Sequence, residues 1–313
     1  MGDVAQALPI VGVLHDAGVR VGWAVEDRFA GIVEHARWPV EPLVWKRGVP
    51  GLMNLRGRGR DFEAVLDVQG NMKSGTVAVS LGAGTVIGLA RENVREFGNL
   101  MFTAVRAAPA RGPHVLERSL AVVEQCLGRR VAPDDIPEPP WLEARPHAVE
   151  RVRGQLAAVG VDIQRPGIAA VVGVPDDPRA WPVTLAAKLV QEHAGFLIAG
   201  PAEAGLSLPA DVPVLRQGAD TELLIALGRL LAEHGWRVAG HDSGAMHVLH
   251  ACAVRGVVLF GPQDPARTGP WRGRTLVAPG ELACRPCLDR VCREASGPVC
   301  MSRIDPEQVA RSL

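Results

Sequence analysis

Short apolar runs recur along the chain, each followed by a segment of helix length. In the first half they are "VRVGWAV" from Val19, "PLVW" from Pro42, "AVLDVQG" from Ala64 and "GTVIGLA" from Gly84. Runs of this length, spaced in this way, predict parallel strands joined by crossover helices. The alternation breaks at "VAPDDIPEPPWLEARP" (131–146), where proline and acid suit neither period, and a linking helix is expected around Ala148–Val159. It then restarts with "GIAAVVGV" from Gly167, "GFLIAG" from Gly195, "VPVLRQG" from Val212, "WRVAGHDSG" from Trp236 and "GVVLFGP" from Gly256. Two successive α/β units are implied, with expected domains 1–162 and 163–313. Within the second, "DTELLIALGRLLAEHG" (220–235) sets Leu223, Leu224, Leu227, Leu230 and Leu231 at helical spacing, with Gly235 as the C-terminal cap. That leucine stripe is expected to be core.

Composition narrows the class. A chain of 313 residues suits two domains, and 47% apolar with 22% charged residues is ordinary for a soluble globular protein. Lys+Arg and Asp+Glu both total 34, so no global positive field is available to hold a phosphate backbone and no nucleic-acid partner is expected. The chain opens with neither a basic n-region nor an apolar h-region, and no apolar run reaches the roughly 18 residues of a membrane span. The expected location is the cytoplasm.

Glycines invite a nucleotide reading that one of the rich stretches does not support. "GAGTVIG", with Gly82, Gly84 and Gly88, leads into a β-branched strand, whereas a dinucleotide fingerprint must turn from a strand into a helix. It reads as a helix-to-strand turn. The informative stretch is "WRVAGHDSGAMHVLHACAVRGVVLFGPQDPARTGPW" (236–271). An apolar strand ends at Asp242-Ser243-Gly244 and a helix pattern starts at once. Ser243 and Gly244 would leave backbone N–H groups free at a helix N-terminus, which favours an anionic phosphate. Asp242 would stand at the carboxyl end of a strand, where ligands bind in open α/β sheets. The plain alternatives are an N-cap role for Asp242 or Ser243 and a satisfied, partly buried His247. Against them stands the next strand, whose own polar loop emerges on the same edge.

This segment resembles the donor-site signature of glycosyltransferase family 9, the lipopolysaccharide heptosyltransferase family, which runs Asp-Ser/Thr-Gly-x-x-His and then Phe-Gly-Pro-x-Asp-Pro. Further stretches match in the family's order: "DVQGNMKSG" (67–75), "VREF" (94–97), "HVLERSLAV" (114–122) and "RAWP" (179–182). The resemblance implies a GT-B fold, two Rossmann-like domains facing a central cleft, with acceptor on the N-terminal side and nucleotide sugar on the C-terminal side. Relatives begin with a strand before a Gly-Asp loop, so "MGDVAQALP" reads as that loop and the first helix with the first N-terminal strand missing. Met1 is then an internal start, or the chain is a natural truncation with an open sheet position.

The resemblance also implies roles. Asp3 matches the general base that takes a proton from the acceptor hydroxyl during inverting transfer. The leaving diphosphate would be met by the amides of Ser243 and Gly244 and by Arg179, with no metal essential for catalysis; many relatives carry Lys at that position. Asp242 would contact sugar hydroxyls or orient Arg179, His247 would line the phosphate site, and Glu203 in "AGPAEAG" would hold the ribose. Lys73 and Arg95 would face an anionic glycolipid or core-oligosaccharide acceptor. The implied reaction moves heptose from ADP-heptose to a lipopolysaccharide-type acceptor at the inner face of the cytoplasmic membrane, with peripheral membrane contact. Alternatives are a family transferase using another nucleotide sugar, and a non-catalytic sugar-nucleotide or glycan-binding relative. Finally, Cys284, Cys287, Cys292 and Cys300 are separated by two, four and seven residues. A structural zinc is one reading of this cluster, and reduced or disulfide-paired thiols are the others. Cys126 and Cys252 fall in helical patterns and read as packed thiols.

Overall fold

A computed structural model describes residues 1–289, 291–294 and 297–313. They form two compact units: Gln6–Trp141, and Met1–Ala5 together with Leu142–Leu313.

The first helix, α1 (Gly2–Asp16), is apolar on every side and residues 4–14 are buried, as a helix without a polar face must be. The N-terminal unit continues with β1 (Gly22–Glu26), α2 (Ala30–Glu34), β2 (Glu41–Trp45), α3 (Val49–Leu55), β3 (Ala64–Asp67), α4 (Met72–Leu81), β4 (Thr85–Gly88), β5 (Val105–Arg106) and α5 (Val115–Leu127). The strands form two parallel ladders, β1–β2 and β3–β4–β5, which do not hydrogen-bond to each other. Leu43, Trp45, Leu55, Val77 and Leu81 form one core cluster beneath them. The "GAGTVIG" glycines fall where expected, with Gly82 left-handed at φ +70° closing α4 before β4 begins.

The C-terminal unit holds α6 (Pro146–Ala158), β6 (Ile168–Val171), α7 (Val183–Glu192), β7 (Phe196–Ala199), β8 (Val214–Arg216), α8 (Thr221–Glu233), β9 (Arg237–His241), α9 (Gly244–Ala251), β10 (Arg255–Phe260), α10 (Pro265–Thr268), β11 (Arg274–Val277), α11 (Val299–Ser302) and α12 (Pro306–Ser312). Its six strands pair in the order β11-β10-β9-β6-β7-β8, all parallel. This is the doubly wound order, with β6 and β9 side by side where the winding reverses. The five leucines of α8 are buried, and the expected linking helix, α6, packs along α8 within this unit. Two buried tryptophans tie flanking loops to the sheet: Trp181 Nε1 donates to the Ile304 carbonyl at 3.0 Å and Trp236 Nε1 to the Ile163 carbonyl at 2.8 Å.

Candidate functional site

Ligands of doubly wound sheets bind beyond the carboxyl ends of the strands at the reversal point, here the loops after β6 and β9. β9 ends at His241, and Asp242-Ser243 lead directly into α9. Ser243 is the N-cap in extended conformation, and its hydroxyl accepts the Met246 N–H at 3.5 Å. The Gly244 and Ala245 N–H groups, at the first two helical positions, have no intrahelical acceptor, and the helix dipole concentrates positive potential there.

Asp242 is a buried hub. Its Oδ1 lies 2.9 Å from His247 Nε2, its Oδ2 accepts the Thr268 hydroxyl at 3.1 Å, and its backbone carbonyl accepts from Arg179 Nη1 at 3.2 Å. Both carboxylate oxygens are therefore occupied, and the link to Arg179 runs through the main chain. His247 is also buried, paired with Asp242 behind the start of α9.

Arg179 is held by a residue that the sequence motifs passed over. Asp177 takes its Nε at 2.9 Å and its Nη2 at 2.6 Å, and also the Arg179 backbone N–H at 2.9 Å. Burial raises the Asp177 pKa, but the hydrogen bonds and charge of Arg179 outweigh it and hold the carboxyl below its ordinary value. The Asp177 hydrogen bond in turn raises the Arg179 pKa. The result is a planar cation in a fixed fork geometry at the reversal point. His241 sits in the same neighbourhood, with burial pushing its pKa down to about 4. Its ring presses on Gly173, where a Cβ would lie 2.6 Å from His241 Cε1, so no larger residue fits beside it.

The chain's first residues lie against α9. A Cβ on Gly244 would meet Met1 Cβ at 2.8 Å, and one on Gly2 would meet His247 Cδ2 at 3.1 Å. Asp3, the next residue, is exposed in the first turn of α1. Met1 and Gly2 thus lie beside Gly244 and His247, with Asp3 next in the chain. Glu203 stands beyond β7, where its Oε2 accepts the Gly200 N–H at 3.0 Å. Arg216 at the end of β8 braces that loop through the carbonyls of Glu203, Ala204 and Leu206.

In the N-terminal unit, Lys73 lies on the first turn of α4 with Nζ 2.6 Å from Glu26 Oε1, and Arg28 holds the other oxygen of Glu26 at 2.9 Å. Burial of Glu26 works against ionisation, yet the hydrogen bond and charge of Lys73, with Arg28, keep its pKa below the ordinary carboxylate value. Exposed Arg95 follows β4; its N–H and that of Glu96 donate to the Gly70 carbonyl at 2.9 and 3.0 Å, tying its loop to the one that leads into α4.

Cys284, Cys287, Cys292 and Cys300 line one cavity together with Pro178 and Pro262. All four are free thiols, and among the described residues no three His, Cys, Asp or Glu side chains converge so as to hold a metal. Burial raises the Cys300 pKa, with the neighbouring thiols of Cys292 and Cys287 adding to the effect. Cys252 is fully packed, with a pKa pushed up to about 12 by burial, and Cys126 is half-buried.

A doubly wound domain with an anion-receptive helix at its reversal point, preceded by a second parallel α/β unit, is the GT-B fold of nucleotide-sugar-dependent glycosyltransferases. Residues 55–296 match the family model described as glycosyltransferase family 9 (heptosyltransferase), and the chain belongs to that family. It is 27% identical to lipopolysaccharide heptosyltransferase 1 of Pseudomonas aeruginosa in an alignment spanning 100% of this chain and 94% of that one. Among solved structures, the family 9 glycosyl transferase from Veillonella parvula aligns with a TM-score of 0.76 at 18% identity, over 99% of this chain and 92% of that one. E. coli heptosyltransferase WaaC with ADP aligns at 0.64 and 19%, over 99% and 93%. E. coli ADP-heptose lps heptosyltransferase II aligns at 0.66 and 16%, again over 99% and 93%. The chain is an enzyme, a glycosyltransferase of the lipopolysaccharide heptosyltransferase family. No helix among the described residues is long and apolar enough to cross a membrane.

Proposed function

We propose that this enzyme transfers heptose from ADP-heptose to a lipopolysaccharide core-type acceptor, with inversion, at the inner face of the cytoplasmic membrane. The observation that carries the reading is the α9 N-terminus with the clamped Arg179, where Met1 and Gly2 lie beside Gly244 and His247 and exposed Asp3 follows in the chain. The diphosphate of the donor lies on the free N–H groups of Gly244 and its neighbour, with Arg179 neutralising the charge that grows as the sugar departs. Asp177 fixes that guanidinium in advance, so little reorganisation is needed during reaction. Asp242 keeps its carboxylate for His247 and Thr268 and so positions the loop rather than the sugar. Glu203, in the turn after β7, takes the ribose hydroxyls. Asp3 receives the proton of the acceptor hydroxyl as the new glycosidic bond forms, and Lys73 and Arg95 attract the anionic acceptor. With a helix dipole and an arginine at the diphosphate, these residues supply the role that a divalent cation fills elsewhere.

The donor assignment draws on relatives solved with ADP and with ADP-2-deoxy-2-fluoro heptose. Calorimetric titration of ADP, UDP and GDP tests it. ADP is expected to bind selectively, and Arg179→Gln to weaken it by roughly tenfold or more, the worth of a charged hydrogen bond. Preference for UDP or GDP would remove heptose as the sugar.

A further inference from the structure

One segment of the N-terminal unit has chemistry that sugar transfer leaves unused. From Lys46 to Arg60 the chain reads "KRGVPGLMNLRGRGR", five bases and no acid, in a protein whose formal net charge is +0. The run encloses α3. Lys46, Arg47, Arg56, Arg58 and Arg60 are all exposed, and among the described residues none pairs with a carboxylate; Arg58 donates to the Val44 carbonyl at 3.2 Å. Their charge is left to solvent.

Amid these bases α3 exposes large apolar side chains. Val49 and Met53 are each 69% exposed, while Gly51 and Leu55 turn into the core. Their i, i+4 spacing puts both on one face of the helix. α3 packs on α4, which exposes Val79, and α4 packs on the 3-10 turn Phe97–Phe102, which exposes Phe97 and Met101. The Arg91 guanidinium lies over the Phe97 ring, 4.7 Å from its centroid. A single exposed apolar residue needs no explanation, but a series of them beside unpaired cations matches surfaces that enter a membrane interface.

We infer that α3 and its flanking bases dock the N-terminal unit on an anionic phospholipid surface. The bases meet the headgroups, and Val49 and Met53 enter the interface between them. The inference rests on the proposed activity in that it brings this unit to the bilayer that carries a lipid-borne acceptor. The commitment to lipid, rather than to the acceptor saccharide, follows from the apolar pair, which a sugar would leave unsatisfied.

The test is co-sedimentation of the full chain with vesicles of phosphatidylcholine, with and without phosphatidylglycerol. Wild type is expected to pellet with the anionic vesicles and to be released by salt. Arg47→Gln with Arg56→Gln should weaken binding more than tenfold, at about fivefold for each base. Val49→Ser with Met53→Ser should weaken it by about tenfold. Each variant should retain the ADP affinity of wild type, which shows that it is folded and separates a docking defect from failure of the proposed activity. Equal partition of wild type onto neutral and anionic vesicles, or unchanged binding by both variants, would overturn the inference. So would variants that bind vesicles normally but lose transfer to a deacylated acceptor, since the bases would then serve the saccharide.

Discussion

Arg179 and Asp177 lie two residues apart in "DDPRAW", and only one of them is legible as chemistry in the sequence. A basic side chain before Trp-Pro resembles the family pattern, whereas an acid in a Pro-rich turn reads as an ordinary turn former. Their bidentate pairing becomes visible once the loop after β6 is folded. His241 was hidden differently: it directly precedes Asp242 but lies on the strand, and its significance comes from burial against Gly173 rather than from spacing. Its behaviour yields a pH prediction. The unfolded state binds a proton near the ordinary value of 6.5, while the folded state resists protonation down to about 4. Stability from this group is thus complete above pH 6.5 and is lost as pH falls toward 4, by about 3 kcal/mol in all. Chemical denaturation across that window should show a shallower pH dependence for His241→Asn than for wild type. Identical slopes would mean that His241 is not a buried neutral histidine.

At the scale of elements, the long apolar runs were readable and the short pieces were not. All nine expected strand runs carry a strand, with β6 and β7 buried throughout, and the leucine stripe became the buried face of α8. β5 has two residues and β11 is a mostly exposed edge strand, so neither presents a period to detect. The motif "DVQGNMKSG" is organised around Asp67. Asp67 accepts from the Gln69 N–H at 3.0 Å, the Gly70 N–H at 3.1 Å, the Ser74 hydroxyl at 2.9 Å and Asn99 Nδ2 at 2.7 Å. Asn71 and Ser74 close a capping box on α4. Most of the motif therefore builds the loop that carries Lys73, a role that no residue type announces by itself. Ser74→Ala removes both a hydroxyl donor to buried Asp67 and half of the capping box. It should lower stability by about 1–3 kcal/mol, read as a reduced denaturation midpoint with unchanged affinity for ADP. An unshifted midpoint would show that the Asp67 network is not what holds this loop.

For the whole molecule, two parallel α/β units and the strand order around β6 and β9 make a nucleotide-sugar enzyme physically coherent, and membership of glycosyltransferase family 9 gives the reaction its class. A formal net charge of zero concealed the basic run around α3, since sums over a chain erase local asymmetry. Asp3, exposed in the first turn of α1, carries the proton transfer proposed for the reaction. The most direct measurement is NMR of the product formed from ADP-heptose and a lipopolysaccharide core acceptor, by wild type and by Asp3→Asn. The account predicts release of ADP together with a product whose anomeric configuration is opposite to that of the donor. It further predicts that Asp3→Asn binds ADP as wild type does but transfers at least 100-fold more slowly, within the roughly 10²–10⁴-fold contribution of a general base. A product with retained configuration, or an Asp3→Asn enzyme of undiminished rate, would contradict it.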